Sequence, residues 1–186
     1  MQIASAYTKM AAAWINRSKD GKVYLSIAPA TGGGGENPKY DWEKRKNFNL
    51  SRSELIAIQH VMETALKKGV AEAQKVCESL LGNGMKSCLF IHVTDHGKAI
   101  GGIDLFEGQG VYAPFRFRIT FKPKSGNEET IYVGTTRVNA MAIVKDIELF
   151  NTEYFRNRLA AEMALEKSET RHFGPDPYRD AAPGIP

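Results

Sequence analysis

KYDWEKRKNFNLSRSE, residues 39–54, is the stretch whose reading decides the fold. Rings at Tyr40, Trp42 and Phe48 are interleaved with Lys44, Arg45 and Lys46, and the run ends where a helix begins. A soluble surface does not need the rings, and a core excludes the charges. Residues 39–50 read as a strand. Tyr40, Trp42, Lys44, Lys46, Phe48 and Leu50 share one parity, while Asp41, Glu43, Arg45, Asn47 and Asn49 share the other. Ser51 and Glu54 have the spacing of a capping box with Ser51 as N-cap. Leu55, Ile58, Val61, Met62, Ala65 and Leu66 then keep a helical period through Lys68.

A strand face that mixes rings with cations suits unpaired bases. The rings stack on bases and the cations hold phosphates, and each stacked base is worth about 1–3 kcal/mol whatever its identity. The other reading makes Trp42 and Phe48 core anchors among lysine stems. Phe48 fits the core. Tyr40 and Trp42 stand open between the two readings.

Upstream, residues 8–18 and 22–28 flank "KDG", an Asp-Gly pair between strand-like runs that predicts a hairpin. Val23, Leu25 and Ile27 take one face of the second run, and Lys22, Tyr24 and Ser26 the other. The "TGGGGEN" that follows has no Lys-Ser/Thr after it and opens no helix, so it reads as a flexible hairpin loop and not as a phosphate cradle.

Downstream, Gly69 interrupts the first helix. Val70, Ala73, Val76, Cys77, Leu80 and Leu81 carry a second helical stretch that "GNG" at 82–84 stops. Strand patterns return over 86–94, 98–106, 111–123 and 129–135. In "FRFRITFK", residues 115–122, Phe115, Phe117, Ile119 and Phe121 face one way. Arg116, Arg118, Thr120 and Lys122 face the other, with cations spaced about 6.6–6.8 Å per alternate position. No neighbouring acid balances this row. Residues 137–167 are helical in pattern, with Asn151-Thr152 as the place for a break or kink. The tail "RHFGPDPYRDAAPGIP" reads as disordered. The order, strands then helix twice over, gives an α+β chain of two similar halves.

The chain has 186 residues and a net charge of +4, but the charge is uneven. Residues 39–52 and 111–124 hold nine Lys/Arg against two acids, while the remainder carries a net −3. Concentrated positive charge points to a polyanion partner; a merely solvated sheet face is the alternative. No run is apolar and long enough for a membrane span. The first residues lack a secretory or transit pattern. Two cysteines, Cys77 and Cys88, make no disulfide framework and suit a reducing compartment. Cys88, His92 and His96 share strand parity beside Asp95, but no fourth ligand stands at a recognised spacing. No catalytic residue, metal or cofactor is expected.

Residues 18–54 resemble the Whirly family of single-stranded DNA-binding proteins. The likeness rests on S-K-D-G, a strand ending A-P-A, and Tyr40-Asp41-Trp42, Lys44-Arg45, Phe48, Leu50 and Ser51. "TIYVGTTRVNAMAIVKDIEL", residues 130–149, resembles the family's last strand and C-terminal helix more loosely, so that the likeness covers roughly residues 8–155. The resemblance implies a single Whirly-like domain over 1–167: two antiparallel four-stranded sheets, each followed by a helix (ββββα repeated), before a tail at 168–186. It implies a homotetramer with central helices and single-stranded DNA along the sheets, bound with little sequence preference. RNA stays an alternative, because guide-RNA-binding proteins of kinetoplastid mitochondria share the fold.

Under that reading Lys22, Lys44, Arg45, Arg116, Arg118 and Lys122 hold phosphates, and Tyr24, Tyr40 and Trp42 stack bases. The plant motif K-G-K-A-A-L-S is matched only by Lys9 to Trp14, which adds Lys9 to the candidates. Residues 69–84 form a helical insertion relative to the plant pattern. The expected role is coating and protecting single-stranded DNA in replication, recombination or repair, in the cytoplasm of a bacterium or phage-infected cell and not in an organelle. The alternatives are an RNA-binding or annealing module and a non-catalytic scaffold whose C-terminal tail recruits protein partners.

Overall fold

A computed structural model describes residues 1–31, 38–82 and 84–172, with side chains through residue 165. Four strands, β1 (Gln2–Tyr7), β2 (Ala11–Arg17), β3 (Val23–Pro29) and β4 (Lys46–Leu50), pair antiparallel in that order. The expected hairpin closes β2 on β3: the Ser18 N–H donates to the Lys22 carbonyl at 2.9 Å, and Gly21 takes the left-handed φ of 85° that the turn needs. The glycine run at 32–37 lies outside the described residues.

The strand expected over 39–50 is shorter than its parity implied. β4 covers only Lys46–Leu50, and Tyr40 makes an isolated bridge to Ala30. Between them the Asp41 carboxylate accepts the Lys44 N–H at 3.1 Å and pairs with the Lys44 ammonium at 3.0 Å. This Asx-type turn bends the chain. Alternation therefore holds from residue 46 onward, with Phe48 and Leu50 buried and Asn47 and Asn49 exposed.

The capping box forms as spaced. Ser51 Oγ accepts the Glu54 N–H at 3.2 Å, and Glu54 Oε2 accepts the Ser51 N–H at 2.6 Å. It starts α1 (Arg52–Lys68), which buries Leu55, Ile58, Val61, Met62 and Ala65. Gly69 separates α1 from α2 (Val70–Leu81), whose Val70, Ala73 and Cys77 are buried. The neighbouring Cys77 thiol, together with burial, pushes the Cys88 thiol up, and both cysteines are free.

The second sheet repeats the plan with β5 (Cys88–Thr94), β6 (Gly97–Leu105), β7 (Tyr112–Pro123) and β8 (Glu129–Thr136), again antiparallel and in sequence order. On β7, Phe115, Phe117 and Ile119 are buried, while Arg116 and Arg118 lie on the other side of the strand. α3 (Arg137–His172) follows and buries Ala140, Ile143 and Ile147. Its span includes Asn151 and Thr152 without a break, and also the first residues of the expected tail. Residues 173–186 lie outside the described residues.

The described chain divides into two units. The first, Met1–Leu149, holds both sheets, α1, α2 and the start of α3. The second, from Phe150, is the remainder of α3, where Arg158 pairs with Glu162 one turn away at 2.7 Å. Among the described residues no helix is long and apolar enough to cross a membrane.

Within the first unit the sheets meet at Phe48. Its ring packs so closely on Gly101 of β6 that a Cβ there would lie 2.2 Å from Phe48 Cγ. Gly101→Ala is therefore expected to overpack the junction and destabilise the protein by about 1–3 kcal/mol or more. Chemical denaturation that finds the variant as stable as the parent would contradict this packing.

Candidate nucleic-acid interface

The outward parity of the first sheet sets out a groove. Across β2 and β3, Trp14 pairs in register with Ser26, and Asn16 with Tyr24. Val23, Leu25 and Ile27 face inward, so these four face out. Asn47 adds the β4 edge, and the turn at 41–45 brings Trp42 and Arg45 over the strands. Together with Arg17 these side chains line an open groove of about 590 Å³. No carboxylate lines it among the described residues.

The rings form one cluster. Trp14 and Trp42 stack with centroids 3.6 Å apart at 26°. Trp14 Nε1 donates to the Tyr7 hydroxyl at 2.8 Å, and Tyr7 and Tyr40 lie 5.8 Å apart. Tyr40 stands edge-on to Trp42 at 6.5 Å. The Tyr40 hydroxyl donates to the Thr8 carbonyl at 2.8 Å, and burial pushes its phenol up. Tyr40 thus braces the loop onto the β1–β2 turn. Arg45 Nη1 donates to the Trp42 carbonyl at 2.9 Å, which sets the cation beside the stacked rings.

Of the residues singled out from sequence, Tyr24, Trp42 and Arg45 line this groove. Strand parity had placed Trp42 and Arg45 on opposite faces; the turn, not alternation, brings them together. Lys9 is exposed at the β1–β2 turn and Lys44 is exposed in the Asp41 turn. Lys22 pairs with Asp20 at 3.2 Å, and that carboxylate raises its pKa. Lys9, Lys22, Tyr40 and Lys44 are not among the groove's lining. Trp14, Asn16, Arg17, Ser26 and Asn47 were not singled out from sequence. For the strand residues the signal existed, since alternation against Ala13 and Ile15 already turned Trp14 and Asn16 outward.

The second sheet presents a different surface. Arg116 lays its guanidinium 3.9 Å over the Tyr132 ring, and Arg118 lies 5.8 Å from the same ring. The row is not free of acid, as its sequence suggested. Asp104, opposite Arg116 on β6, reaches both Arg116 and Arg118 at 3.5 Å. Such long, part-exposed contacts neutralise weakly. Lys122 is exposed and pairs in register with Lys98, which sets two cationic residues opposite each other on β6 and β7. Like charges directly opposite destabilise a sheet, and an anion between them relieves the strain. No three or more His, Cys, Asp or Glu residues gather into a metal-holding group among the described residues.

Lys44 holds the Asp41 carboxyl below the usual carboxylate range, through its side chain first and its backbone N–H second. A carboxyl held low in the folded loop stabilises that loop above its unfolded pKa of about 3.9, and the contribution is lost as pH falls through the folded value. Trp14 and Trp42 are the chain's two tryptophans, so intrinsic fluorescence reports on this stack. The emission is expected to hold steady from neutral pH down to about pH 4 and to change below it. Asp41→Ala, which removes the acceptor of the Lys44 N–H, is expected to show the altered emission already at neutral pH; an unchanged spectrum in that variant would remove Asp41 as the anchor of the loop.

No curated protein matches the chain. Among solved structures, it is similar to the plant transcriptional regulator PBF-2, with 17% identity and a TM-score of 0.58 over 88% of this chain and 86% of that one. It is also similar to WHY1 from Arabidopsis thaliana, with 17% identity and a TM-score of 0.53 over 87% and 92% of the two chains. WHY3 from Arabidopsis thaliana gives 16% identity and a TM-score of 0.56 over 88% and 96%. These structures share the fold. A sequence model of a family described as "Whirly transcription factor" matches residues 1–99. That match spans more than half of the 186 residues and includes the Trp14–Trp42 groove, and the chain belongs to the Whirly family.

Proposed function

We propose that this protein binds single-stranded DNA with little sequence preference, coating and protecting it in replication, recombination or repair, and that it acts by binding and not by catalysis. The carrying observation is the groove in which stacked Trp14 and Trp42 stand beside Arg45, Arg17 and Tyr24 with no lining carboxylate. Unpaired bases offer π-faces to the rings whatever their identity, and phosphates answer the guanidinium groups. A duplex hides its base faces. The cations of β7 extend the same chemistry to the second sheet.

Trp42→Ala and Arg45→Ala are each expected to weaken binding to a dT oligomer by roughly tenfold, within the range that one stacked base contributes. Affinity should fall with salt by about 0.7 log units per phosphate contact for each log unit of salt. Duplex DNA of the same length should bind more weakly. Electrophoretic shifts that show no salt dependence, or equal affinity for duplex and single strand, would overturn the reading. An RNA oligomer that outcompetes DNA would favour the RNA-binding alternative.

The proposal extends to a homotetramer. Leu66 of α1 and Met141 and Val144 of α3 line an apolar groove of about 260 Å³, rimmed by Glu63, Lys67, Lys145 and Glu148. Met141 is 64% exposed, and Val138 beside it 76%. An apolar floor with a rim of both signs suits a second copy of the same surface. Met141→Glu is expected to shift the mass measured by light scattering to a smaller species, and an unchanged mass would place the interface elsewhere.

A further inference from the structure

We propose a second base-binding site, on the outward side of the second sheet, that takes a single unpaired nucleobase of the strand whose phosphates run along β7. The proposal rests on the single-strand-binding reading above and adds a site that reading does not contain.

The site is a cleft of about 370 Å³ where the β6–β7 loop crosses β8. Small-molecule sites start at about 300 Å³. Phe106, Glu107, Gln109, Tyr112 and Gly134 line it. Its two aromatic walls are the ends of one hairpin, and the hairpin is pinned. The Phe106 N–H donates to the Pro114 carbonyl at 3.1 Å, and the Tyr112 N–H to the Gln109 carbonyl at 3.3 Å. Both rings remain well exposed, Tyr112 at 60% and Phe106 at 38%. The Arg116 guanidinium lies over the Phe106 ring at 5.7 Å, and the more exposed Tyr112 ring offers its π-face to water.

Gly134 gives the floor. It pairs in register with Arg116, and a Cβ built there would meet no atom of the described residues within 4 Å. Glycine weakens a strand, and here it is not required by close packing. What its missing side chain leaves is room.

The charges orient the occupant. Arg116 stands at the edge, its guanidinium 5.7 Å from the Phe106 ring, and Arg118 and Lys122 continue the row along β7. Glu107 stands in the lining, where it repels a phosphate and accepts a hydrogen bond from a base N–H. The phosphate therefore stays on Arg116 and the base enters the cleft. A free anion fails this arrangement, and so does a duplex, whose base faces are stacked.

Gly134→Val tests it in the full chain. Valine suits a strand and finds open space at its Cβ, so thermal unfolding should match the parent. The side chain fills the floor. Binding to a dT oligomer, read by fluorescence anisotropy, is expected to weaken by about tenfold, the scale of one lost stacked base. On an abasic deoxyribose-phosphate strand the variant and the parent should bind alike, with the same salt slope. Tyr112→Ala, at an exposed position, should reproduce the loss and decides the matter if Gly134→Val does not fold. Parent-like affinity for the dT oligomer in a folded variant overturns the site and leaves the first groove standing. Equal loss on the abasic strand also overturns it, because the variant then disturbs phosphates and not a base. A parent protein that binds no single strand at all overturns both readings together.

Discussion

Phe48 occupies the space that a side chain at position 101 would fill, and much of the first unit's geometry follows from that contact. The ring comes from β4 of the first sheet and the gap from β6 of the second. His92 of β5 stacks on the same ring at 4.3 Å, and its Nε2 lies 2.9 Å from Glu54 Oε1. Glu54 uses its other carboxylate oxygen to cap α1. Strand, helix start and second sheet are thus referred to one apolar ring. Burying such a ring contributes about 1.5–3 kcal/mol, whereas a part-exposed ion pair contributes about 0–1 kcal/mol. Packing sets this junction and the His92–Glu54 pair orients it.

The groove inherits that constraint. With Phe48 fixed inward, Asn47 and Asn49 turn outward, and a slip of one residue would reverse both faces. The Asp41 turn then hangs Trp42 and Arg45 over a sheet face whose register is already fixed. The rings are stacked on each other and hydrogen-bonded at their rims before any ligand arrives. Side chains ordered in advance lose less entropy on binding. The arginines of β7 follow the same logic on Tyr132, with Asp104 holding them at a distance that a phosphate can outcompete.

Local chemistry made half of this legible in sequence. The capping box, the Asp-Gly hairpin and the alternation of β7 each depend on residues a few positions apart, and each formed as spaced. The Asp41 turn was hidden because Tyr40, Trp42 and Phe48 keep strand parity across it, and only a side-chain hydrogen bond breaks the run. Asp104 was hidden for another reason. It lies on β6, and only the register brings it opposite Arg116. β1 escaped notice because its buried residues are Ala4 and Ala6, which carry little strand signal. Trp14 was legible in parity but not in role, since its partner Trp42 arrives from a loop.

Two glycines of the second sheet mark where local reading ends. Glycine inside a strand costs about 0.5–1 kcal/mol relative to alanine. At Gly101 the cost is offset within the chain, because the Phe48 ring fills the vacant volume. At Gly134 no atom of the described residues fills it. The first glycine is explained by the fold alone. The second lies beside Arg116, on the side of the sheet that carries the cations, and its empty space gains a physical purpose only when something from outside the chain is counted with it.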